Sequence, residues 1–385
     1  MARDQGYKVL LPVEIVNGHA TGPLYGYRHP ETGVFNVVSC GNVSPQQVGR
    51  ASTGLGTLSE NTPAADAEGE SGDVLVGWYA ESKPVFTCGG RGCEVHFYSL
   101  VQDVFSRNQG ILETSALLDA RTVISGCGSV GSQVALELAR SGVGSFLLID
   151  NDQLAYHNLC RHQCGISDVG RLKVDAVRDR ILDINPNAKV ATAPTITERI
   201  AKDTWDTWLD EKTVIVGCAD NREADIYANR LSQLYMAPFV SIGLWERAFA
   251  GELFWSIPGE TPCYYCAFGA KTNNLSFRPS QNRRIYTTEE DLGKLTFEPG
   301  IAVDIGFVTN IGIKIALDLL GRGRRPMRLL DDIKQFTLVC NTTSVQVAGD
   351  LQEIFDHALQ VTRSIEVEKH EECPHCRVAG KGREA

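Results

Sequence analysis

The feature that most constrains this chain is an alternation of short apolar strands with amphipathic helices, which starts at Thr122. Thr122–Ser125 is an apolar run of strand length that ends in a glycine turn, and Gln133–Arg140 follows with helical periodicity. Strand then helix, repeated, implies right-handed crossovers, which build a parallel sheet with helices on both faces. The pattern therefore predicts an α/β domain with a mainly parallel sheet.

The same alternation continues along the chain. It predicts further strands at 145–149, 190–193, 213–216, 250–257 and 336–347, and helices at 172–184, 222–235 and 307–320. The strands after residue 250 are expected to extend the same sheet.

A smaller domain is predicted to precede this one. Residues 1–105 show short apolar runs between turn-rich segments, which is typical of an α+β or mostly β unit, and 106–385 form the larger domain. The stretch Ser59–Asp73 is rich in Ala, Glu, Gly and Ser, a composition that indicates a flexible surface loop.

Composition argues against some functional classes. The formal net charge is −10, from 37 Lys and Arg against 47 Asp and Glu, and a long basic block is lacking, which disfavours a nucleic-acid partner. No apolar run approaches the roughly 20 residues that a membrane-spanning helix needs, and the N-terminal apolar stretch is too short and interrupted for a signal peptide. We therefore expect a cytoplasmic protein without membrane association.

The glycine turn is a candidate phosphate site. Gly126, Gly128 and Gly131 lie between a strand and a helix, where glycines allow a tight turn and the helix N-terminus offers N–H groups to phosphate. Asp150 ends the next strand, where a carboxylate can hold ribose hydroxyls. This motif alone fits an NAD-dependent dehydrogenase as well as an ATP enzyme.

The polar residues that follow favour ATP. Asp152, Asn158, Arg161 and Lys173 come after the second strand, and Asp220 follows a later one. A dinucleotide enzyme has no use for two cations together beyond the ribose, whereas a triphosphate that releases pyrophosphate needs them, and a carboxylate can hold Mg²⁺. For each residue alone, an ordinary solvated surface charge remains an alternative.

With these residues in order, the stretch from Arg107 to about Gly321 resembles the ThiF/MoeB superfamily, the adenylating domains of ubiquitin-activating enzymes. The resemblance implies a Rossmann-like fold in which the three glycines line the phosphate turn. It also implies that Asp150 binds the ribose, with Asp152 beside it in the nucleotide site, and that Asp220 holds magnesium.

The resemblance assigns the cations as well. Asn158, Arg161 and Lys173 would contact the phosphates. Arg107, ahead of the first strand, resembles the arginine that reaches across a homodimer to the ATP of the other subunit.

The family resemblance implies an ATP- and Mg²⁺-dependent enzyme that adenylates the C-terminal carboxylate of a ubiquitin-like protein with a free C-terminal glycine. Transfer to a conjugating enzyme in a bacterial antiviral defence system is a further expectation. Three alternatives stay open: adenylation of a sulfur-carrier protein or a short peptide, action on a tRNA base, and a non-catalytic scaffold that binds ubiquitin-like proteins. The acidic balance argues mildly against tRNA.

Two cysteine pairs have metal-ligand spacing. Cys263-Tyr-Tyr-Cys266 and Cys373-Pro-His-Cys376 fit a tetrahedral Cys₄ zinc site, and members of the resembled family carry a structural zinc in the same place. His375 is predicted to be a spectator, although a mixed Cys/His site and four free thiols are alternatives.

A thioester-forming cysteine is not evident. Family members that pass their substrate on usually carry one in the loop corresponding to Phe268–Gly300, which here contains no cysteine. Cys160 and Cys164 are the nearest candidates, and Cys127 is expected to fill the glycine turn; a structural role is favoured for each.

The N-terminal domain resembles the JAB/JAMM zinc-dependent deubiquitinase domain in the layout of Gly77-Trp-Tyr79 and of Ser99–Asp103. In that family two histidines after Gly-Trp-Tyr bind the metal, and here those positions are Ala80 and Ser82. The resemblance implies a domain without peptidase activity, kept for binding or dimer contacts. An unrelated accessory domain is the alternative.

Overall fold

The computed structural model describes residues 6–41, 49, 52–62, 74–112, 114–220, 222–245, 248, 250–269, 300–323, 329–341 and 362–382. The chain divides into two compact units. Unit 1 comprises Met1–Leu112 and Asp179–Lys189, and unit 2 comprises Glu113–Arg178 and Val190–Ala385. Most of the predicted loop Ser59–Asp73 lies outside the described residues.

Unit 1 is built on a sheet whose described strands run in the order β7-β6-β5-β4-β2-β3-β1-β8. The strands are β1 (Lys8–Pro12), β2 (Gly22–His29), β3 (Val34–Cys40), β4 (Thr53–Ser59), β5 (Leu75–Ala80), β6 (Lys83–Cys88), β7 (Arg91–Gly92) and β8 (Glu94–Tyr98), with the short helix α1 (Val13–Asn17) after β1. Val9, Leu11, Phe35 and Phe86 are fully buried in its core. Because alternate residues of a strand point to one face, β1 and β3 each contribute alternating apolar side chains to it.

Unit 2 carries the predicted alternation of strands and helices. Its sheet contains β9 (Arg121–Ser125), β10 (Ser145–Ile149), β11 (Lys189–Ala193), β12 (Thr213–Gly217), β13 (Phe239–Leu244), β14 (Ala250–Ser256), β15 (Phe336–Cys340) and β16 (Thr362–Ile365). The described helices are α2 (Thr114–Leu118), α3 (Ser129–Arg140), α4 (Lys173–Ile184), α5 (Lys202–Trp208), α6 (Arg222–Tyr235), α7 (Tyr264–Phe268) and α8 (Ala302–Leu320). The residues of α4 from Asp179 onward are assigned to unit 1.

The strand order β11-β10-β9-β12-β13-β14-β15-β16 separates a parallel half from an antiparallel half. Strands β10, β9, β12 and β13 pair in parallel, whereas β14, β15 and β16 run antiparallel to their neighbours. β9, β10 and β12 are buried almost throughout, because helices cover both faces of this half, and they are therefore continuous apolar runs. The predicted α/β fold is confirmed.

Element boundaries differ from the predictions by more than one residue at three places. α3 starts at Ser129 rather than Gln133, because the last glycine of the turn is already helical. α8 starts at Ala302 rather than at 307, and its first turn is exposed, so that it shows no apolar periodicity. β15 ends at Cys340, and the rest of the predicted strand to 347 falls mostly outside the described residues.

Within the described part of the chain, no helix has both the length and the apolar character needed to cross a lipid bilayer.

Candidate nucleotide and metal sites

Three adjacent parallel strands end level with one another and bring the predicted nucleotide residues to one edge of the sheet. Ile149 of β10 is in register with Ser125 of β9, and Ser125 is in register with Gly217 of β12. Asp150 therefore follows β10 at the same edge where the glycine turn follows β9. The carboxyl ends of parallel strands are where open α/β sheets bind ligands.

Gly126 and Gly131 are required by the fold itself. Gly126 has a φ of +94°, and a Cβ there would lie 2.9 Å from the backbone of Cys218 and Ala219. A Cβ on Gly131 would collide with the carbonyl oxygen of Gly126. These two glycines let the turn pack closely against the segment between β12 and Asp220.

Gly128 differs from the other two glycines. A Cβ built on it meets no atom within 4 Å, and its φ of −75° is open to any residue. It is the residue that precedes the first turn of α3, where N–H groups lack partners within the helix. Packing therefore does not explain a glycine here, whereas the predicted close approach of a phosphate would.

Asp150 binds the glycine turn. Its Oδ2 accepts a hydrogen bond from the N–H of Cys127 over 2.7 Å, and its Oδ1 accepts one from the N–H of Asp152 over 2.8 Å. Each carboxylate oxygen can accept a second bond, so that ribose hydroxyls can still be held. The ribose role of Asp150 stays a prediction.

Lys173 and Asp152 form a pair. The Lys173 ammonium lies 2.7 Å from Oδ2 of Asp152, and the Lys173 N–H donates to the Asp152 carbonyl over 2.9 Å. The lysine side chain is 10% exposed and the aspartate side chain 62% exposed. Because the aspartate is the exposed partner, it is the one with room to move away, as the predicted contact of Lys173 with a phosphate would require.

Asn158 and Arg161 lie on one short turn after β10. The Asn158 side-chain oxygen accepts a hydrogen bond from the N–H of Ala155 over 2.9 Å, and this closes the 3-10 turn Tyr156–Asn158. The N–H of Arg161 donates to the carbonyl of Asn158 over 3.0 Å. Both side chains are half-buried. The turn thus fixes the spacing between the two predicted phosphate contacts.

His162 belongs to this site and was not predicted. Its Nε2 lies 2.9 Å from the carbonyl oxygen of Cys127, and its Nδ1 accepts the N–H of Cys164 over 3.0 Å. Nε2 is therefore the protonated nitrogen and donates to Cys127. Burial lowers the pKa of His162, so the ring is neutral. Only its place beside Arg161 pointed to it in the sequence.

Asp220 and Arg107 occupy different surroundings. Asp220 is exposed and lies between β12 and α6, one residue after Ala219, which packs against the glycine turn. Arg107 lies in the 3-10 turn Ser106–Asn108 and belongs to unit 1, whereas the other predicted nucleotide residues belong to unit 2. Its role toward the ATP of a second subunit stays a prediction.

The four predicted metal cysteines come together. The sulfur atoms of Cys263, Cys266, Cys373 and Cys376 all lie within 4.8 Å of one another, and three of the pairs are 3.5, 3.7 and 3.8 Å apart. A tetrahedral Cys₄ zinc site with Zn–S bonds of about 2.3 Å has sulfurs about 3.8 Å apart. The cluster therefore has the dimensions of a site that could hold zinc.

Asn229 of α6 connects the two cysteine pairs. Its Oδ1 accepts the N–H of Tyr264, inside the first pair, over 2.9 Å. Its Nδ2 lies 3.0 Å from Nδ1 of His375, inside the second pair. The His375 ring also stacks on Tyr265 with centroids 4.4 Å apart, and burial lowers its pKa to about 4. His375 therefore faces Asn229 and Tyr265 as a neutral ring.

A buried ion pair, also not predicted, lies between α6 and the sheet. The guanidinium of Arg222 lies 3.0 Å from Oε1 of Glu252 and donates to the hydroxyl of Tyr264 over 3.1 Å. It also covers the ring of Phe268 at 4.2 Å. Removal of either charge would leave the other buried without its partner, so this pair fixes the start of α6 near Asp220.

The candidate thioester cysteines differ in exposure. Cys127 is fully buried, and burial raises the pKa of its thiol well above the usual range. Cys164 is 4% exposed, whereas Cys160 is exposed. Nucleophilic cysteines need thiolate character and access, which disfavours the first two. Most of the loop Phe268–Gly300 lies outside the described residues.

In unit 1, β5 carries Gly77 to Ala80, and Ser82 lies in the turn to β6 with a φ of +67°. Ser99 donates from its hydroxyl to Glu14 over 2.9 Å, and its N–H donates to Asp103 over 2.7 Å. The Ser99–Asp103 segment is thus a hydrogen-bonded turn tied to α1. The JAB/JAMM resemblance of this unit stays a prediction.

Comparison with known proteins shows which family these features belong to. The model of the ThiF family matches residues 102–376. Ubiquitin-like modifier-activating enzyme 5 of Xenopus laevis is 32% identical over 184 residues, which cover 42% of this chain and 43% of that protein. The Caenorhabditis elegans enzyme of the same name is 28% identical over 172 residues, 42% of this chain and 40% of its own length. The chain thus spans less than half of the length of these relatives.

Solved structures show the same fold. Escherichia coli MccB, crystallised with ATP, superposes with a TM-score of 0.51 at 20% identity and covers 71% of this chain and 74% of that one. The microcin C7 biosynthetic enzyme MccB in complex with N-formylated MccA also has a TM-score of 0.51, at 19% identity and the same coverage. Because the family match covers well over half of the sequence and includes both the glycine turn and the four cysteines, this protein belongs to the ThiF family.

Proposed function

We propose that this protein uses ATP and Mg²⁺ to adenylate the C-terminal carboxylate of a ubiquitin-like protein that ends in glycine. The observation that carries the proposal is that the parallel strands β10, β9 and β12 end in register at the same edge of the sheet. It brings Asp150 and the glycine turn to one sheet edge, with Asp220 just beyond the segment that packs on the turn. The ThiF family match supports the same chemistry.

The reaction needs positioning more than proton transfer. A carboxylate oxygen of the substrate attacks the α-phosphorus of ATP, a new acyl–phosphate bond forms, and the bond to the β-phosphate oxygen breaks. Pyrophosphate leaves with the electron pair. A terminal carboxylate is already ionised at neutral pH, so no general base is required. Arg161 and Lys173 would follow the charge onto the leaving group.

Metal ions have two places in this proposal. Asp220 would hold Mg²⁺, which when bound neutralises phosphate charge during the transfer. The cluster of Cys263, Cys266, Cys373 and Cys376 would hold a structural Zn²⁺, since its sulfur spacing fits that ion.

Later steps belong to the same proposal. Transfer to a conjugating enzyme would require a thioester, and Cys160 is the exposed one of the three candidate cysteines Cys127, Cys160 and Cys164. Arg107 would contact the ATP of the other subunit in a homodimer. A bacterial antiviral defence system is the proposed setting.

Substrate-dependent exchange of radioactive pyrophosphate into ATP tests the proposal. Purified ubiquitin-like proteins with a C-terminal glycine, sulfur-carrier proteins and short peptides are compared, and each is matched by a version that lacks its last residue. We expect exchange only with an intact ubiquitin-like tail. Exchange with a sulfur carrier or peptide alone changes the substrate, and tight binding of ubiquitin-like proteins without any exchange indicates a scaffold and overturns the proposed activity.

A further inference from the structure

His162 links the glycine turn to the segment that carries the predicted phosphate contacts. It donates from Nε2 to the carbonyl of Cys127 over 2.9 Å and accepts the N–H of Cys164 at Nδ1 over 3.0 Å. The side chain is 7% exposed. The role of this histidine thus follows from which backbone atoms it contacts.

The carbonyl that His162 contacts belongs to the peptide between Cys127 and Gly128. In a trans peptide the C=O and the N–H point in opposite directions across one plane. A hydrogen bond that holds the Cys127 carbonyl toward His162 therefore also holds the Gly128 N–H toward the other side. The space around Gly128 is open, since a Cβ there would meet no atom within 4 Å.

The preceding peptide is held from the other direction. The N–H of Cys127 donates to Asp150 over 2.7 Å. Asp150 thus fixes one side of Cys127 and His162 the other. Together they leave the turn little freedom to rotate, and a donor that is already oriented costs less to bring to a phosphate.

We propose that His162 is a positioning residue of the nucleotide site, which presents the Gly128 N–H to the phosphates of ATP by holding the Cys127 carbonyl. This inference rests on the proposed function for the identity of the nucleotide. In this proposal the Nε2 donor orients the Cys127 carbonyl, whereas Nδ1 only holds the ring in place through the N–H of Cys164.

Two amide variants separate the two nitrogens. In His162→Gln the side-chain amide reaches about as far as Nε2 and can still donate to Cys127. In His162→Asn the side-chain oxygen replaces Nδ1 as acceptor for Cys164, but no donor reaches the carbonyl. His157→Asn is the matched control, because this exposed histidine lies five residues earlier on the same segment.

ATP with Mg²⁺ is titrated into each full-length variant by isothermal calorimetry, and KM for ATP is separated from kcat by pyrophosphate exchange. One neutral hydrogen bond contributes about 1 kcal/mol, so we expect His162→Asn to weaken ATP binding about fivefold and to raise KM rather than lower kcat. His162→Gln and His157→Asn are expected to stay within about twofold of the unchanged protein. Melting curves show whether each variant is folded.

Equal ATP affinity in all variants overturns the assignment. Equal weakening of ATP binding in His162→Gln and His162→Asn also overturns it, because the ring would then act through packing alone. Failure of the unchanged protein to bind ATP overturns both this inference and the proposed function. ATP binding with the expected variant order, but without exchange for any substrate, supports the positioning role and refutes only the adenylation proposal.

Discussion

Asn229 and His375 lie 146 positions apart in the sequence, and the Asn229 amide donates a hydrogen bond over 3.0 Å to Nδ1 of the histidine. The same asparagine accepts the N–H of Tyr264. One buried side chain of α6 therefore holds both cysteine pairs, whether or not an ion joins their sulfurs. Because α6 starts two residues after Asp220, the cysteine cluster and the proposed magnesium residue are connected through one helix.

We expect Asn229→Leu to release zinc faster than the unchanged protein. Leucine has a similar size but neither bonds the Tyr264 N–H nor donates to His375, and residues that orient metal ligands typically change metal affinity 10- to 100-fold. Release is measured with a chromogenic chelator. Asn310→Ala removes an exposed hydrogen bond of α8 and serves as the control. Equal release rates in Asn229→Leu and in the control would contradict the bridging role.

Cys263→Ser should lower the free energy of unfolding and the metal content together. A structural zinc contributes folding free energy directly, and Cys263 is fully buried at the centre of the cluster. Cys160→Ser, at an exposed thiol outside the cluster, should leave both unchanged. Elemental analysis and thermal melting provide the two readouts. A melting curve that coincides with that of the unchanged protein would refute the zinc assignment.

Asp220→Ala and Arg161→Ala should each lower the rate of pyrophosphate exchange by at least about a hundredfold and leave the fold intact. Asp220 is exposed, so its truncation leaves no cavity. Glu137→Ala, which removes an exposed partner of Arg140, is the control for a charge change on unit 2. Near-normal exchange in both site variants would rule out the assigned roles.

Alanine substitutions at Gly128 and at Gly131 should have different effects on stability and on ATP binding. Gly131→Ala places a methyl group against the carbonyl of Gly126, and we expect a loss of at least about 2 kcal/mol in the free energy of unfolding. Gly128→Ala meets no protein atom and should melt normally, but its methyl group should weaken ATP binding. Melting curves and calorimetric titration separate the two effects. Normal ATP affinity in Gly128→Ala would show that the nucleotide does not approach there.

Stability should fall at acidic pH through His162. Burial lowers the pKa of this ring in the folded protein, and the positive charge of Lys173 adds to the effect. The hydrogen bond to the Cys127 carbonyl and the carboxylates of Asp150 and Asp168 oppose it without reversing it. Below the unfolded pKa of about 6.5, the unfolded chain binds a proton that the folded protein does not. The stability that depends on the neutral ring is therefore fully present above that pH. It is lost as the pH falls toward the lower pKa of His162 in the folded protein.

The measurement is the melting temperature of the unchanged protein and of His162→Gln between neutral and mildly acidic pH. Glutamine does not titrate, so the difference between the two curves isolates the ring. Parallel curves would mean that His162 does not change its proton affinity on folding.

Much of unit 2 could be predicted from local sequence. The apolar runs that became β9, β10 and β12 were recognisable because strands covered on both faces need few polar residues. The cysteine pairs were recognisable as a candidate metal site because two cysteines three residues apart can supply one compact half of a tetrahedral site. Each of these signals lies within a dozen residues.

Other parts of the site could not be predicted in this way. The pairing of Lys173 with Asp152, the contact of His162 with the Cys127 carbonyl and the bridge through Asn229 join residues 21, 35 and 146 positions apart. The antiparallel pairing of β13 with β14, which starts the antiparallel half of the sheet, could not be predicted from local sequence either.

The sequence by itself determined the fold class, the glycine turn and the two closely spaced cysteine pairs of this ThiF-family protein, because periodicity and short spacing are properties of neighbouring residues. Only the tertiary structure decided which backbone carbonyl His162 holds and which side chain joins the two cysteine pairs. Those choices depend on how loops return to the sheet, and the free energy that selects them comes from burial of the whole unit rather than from any short segment.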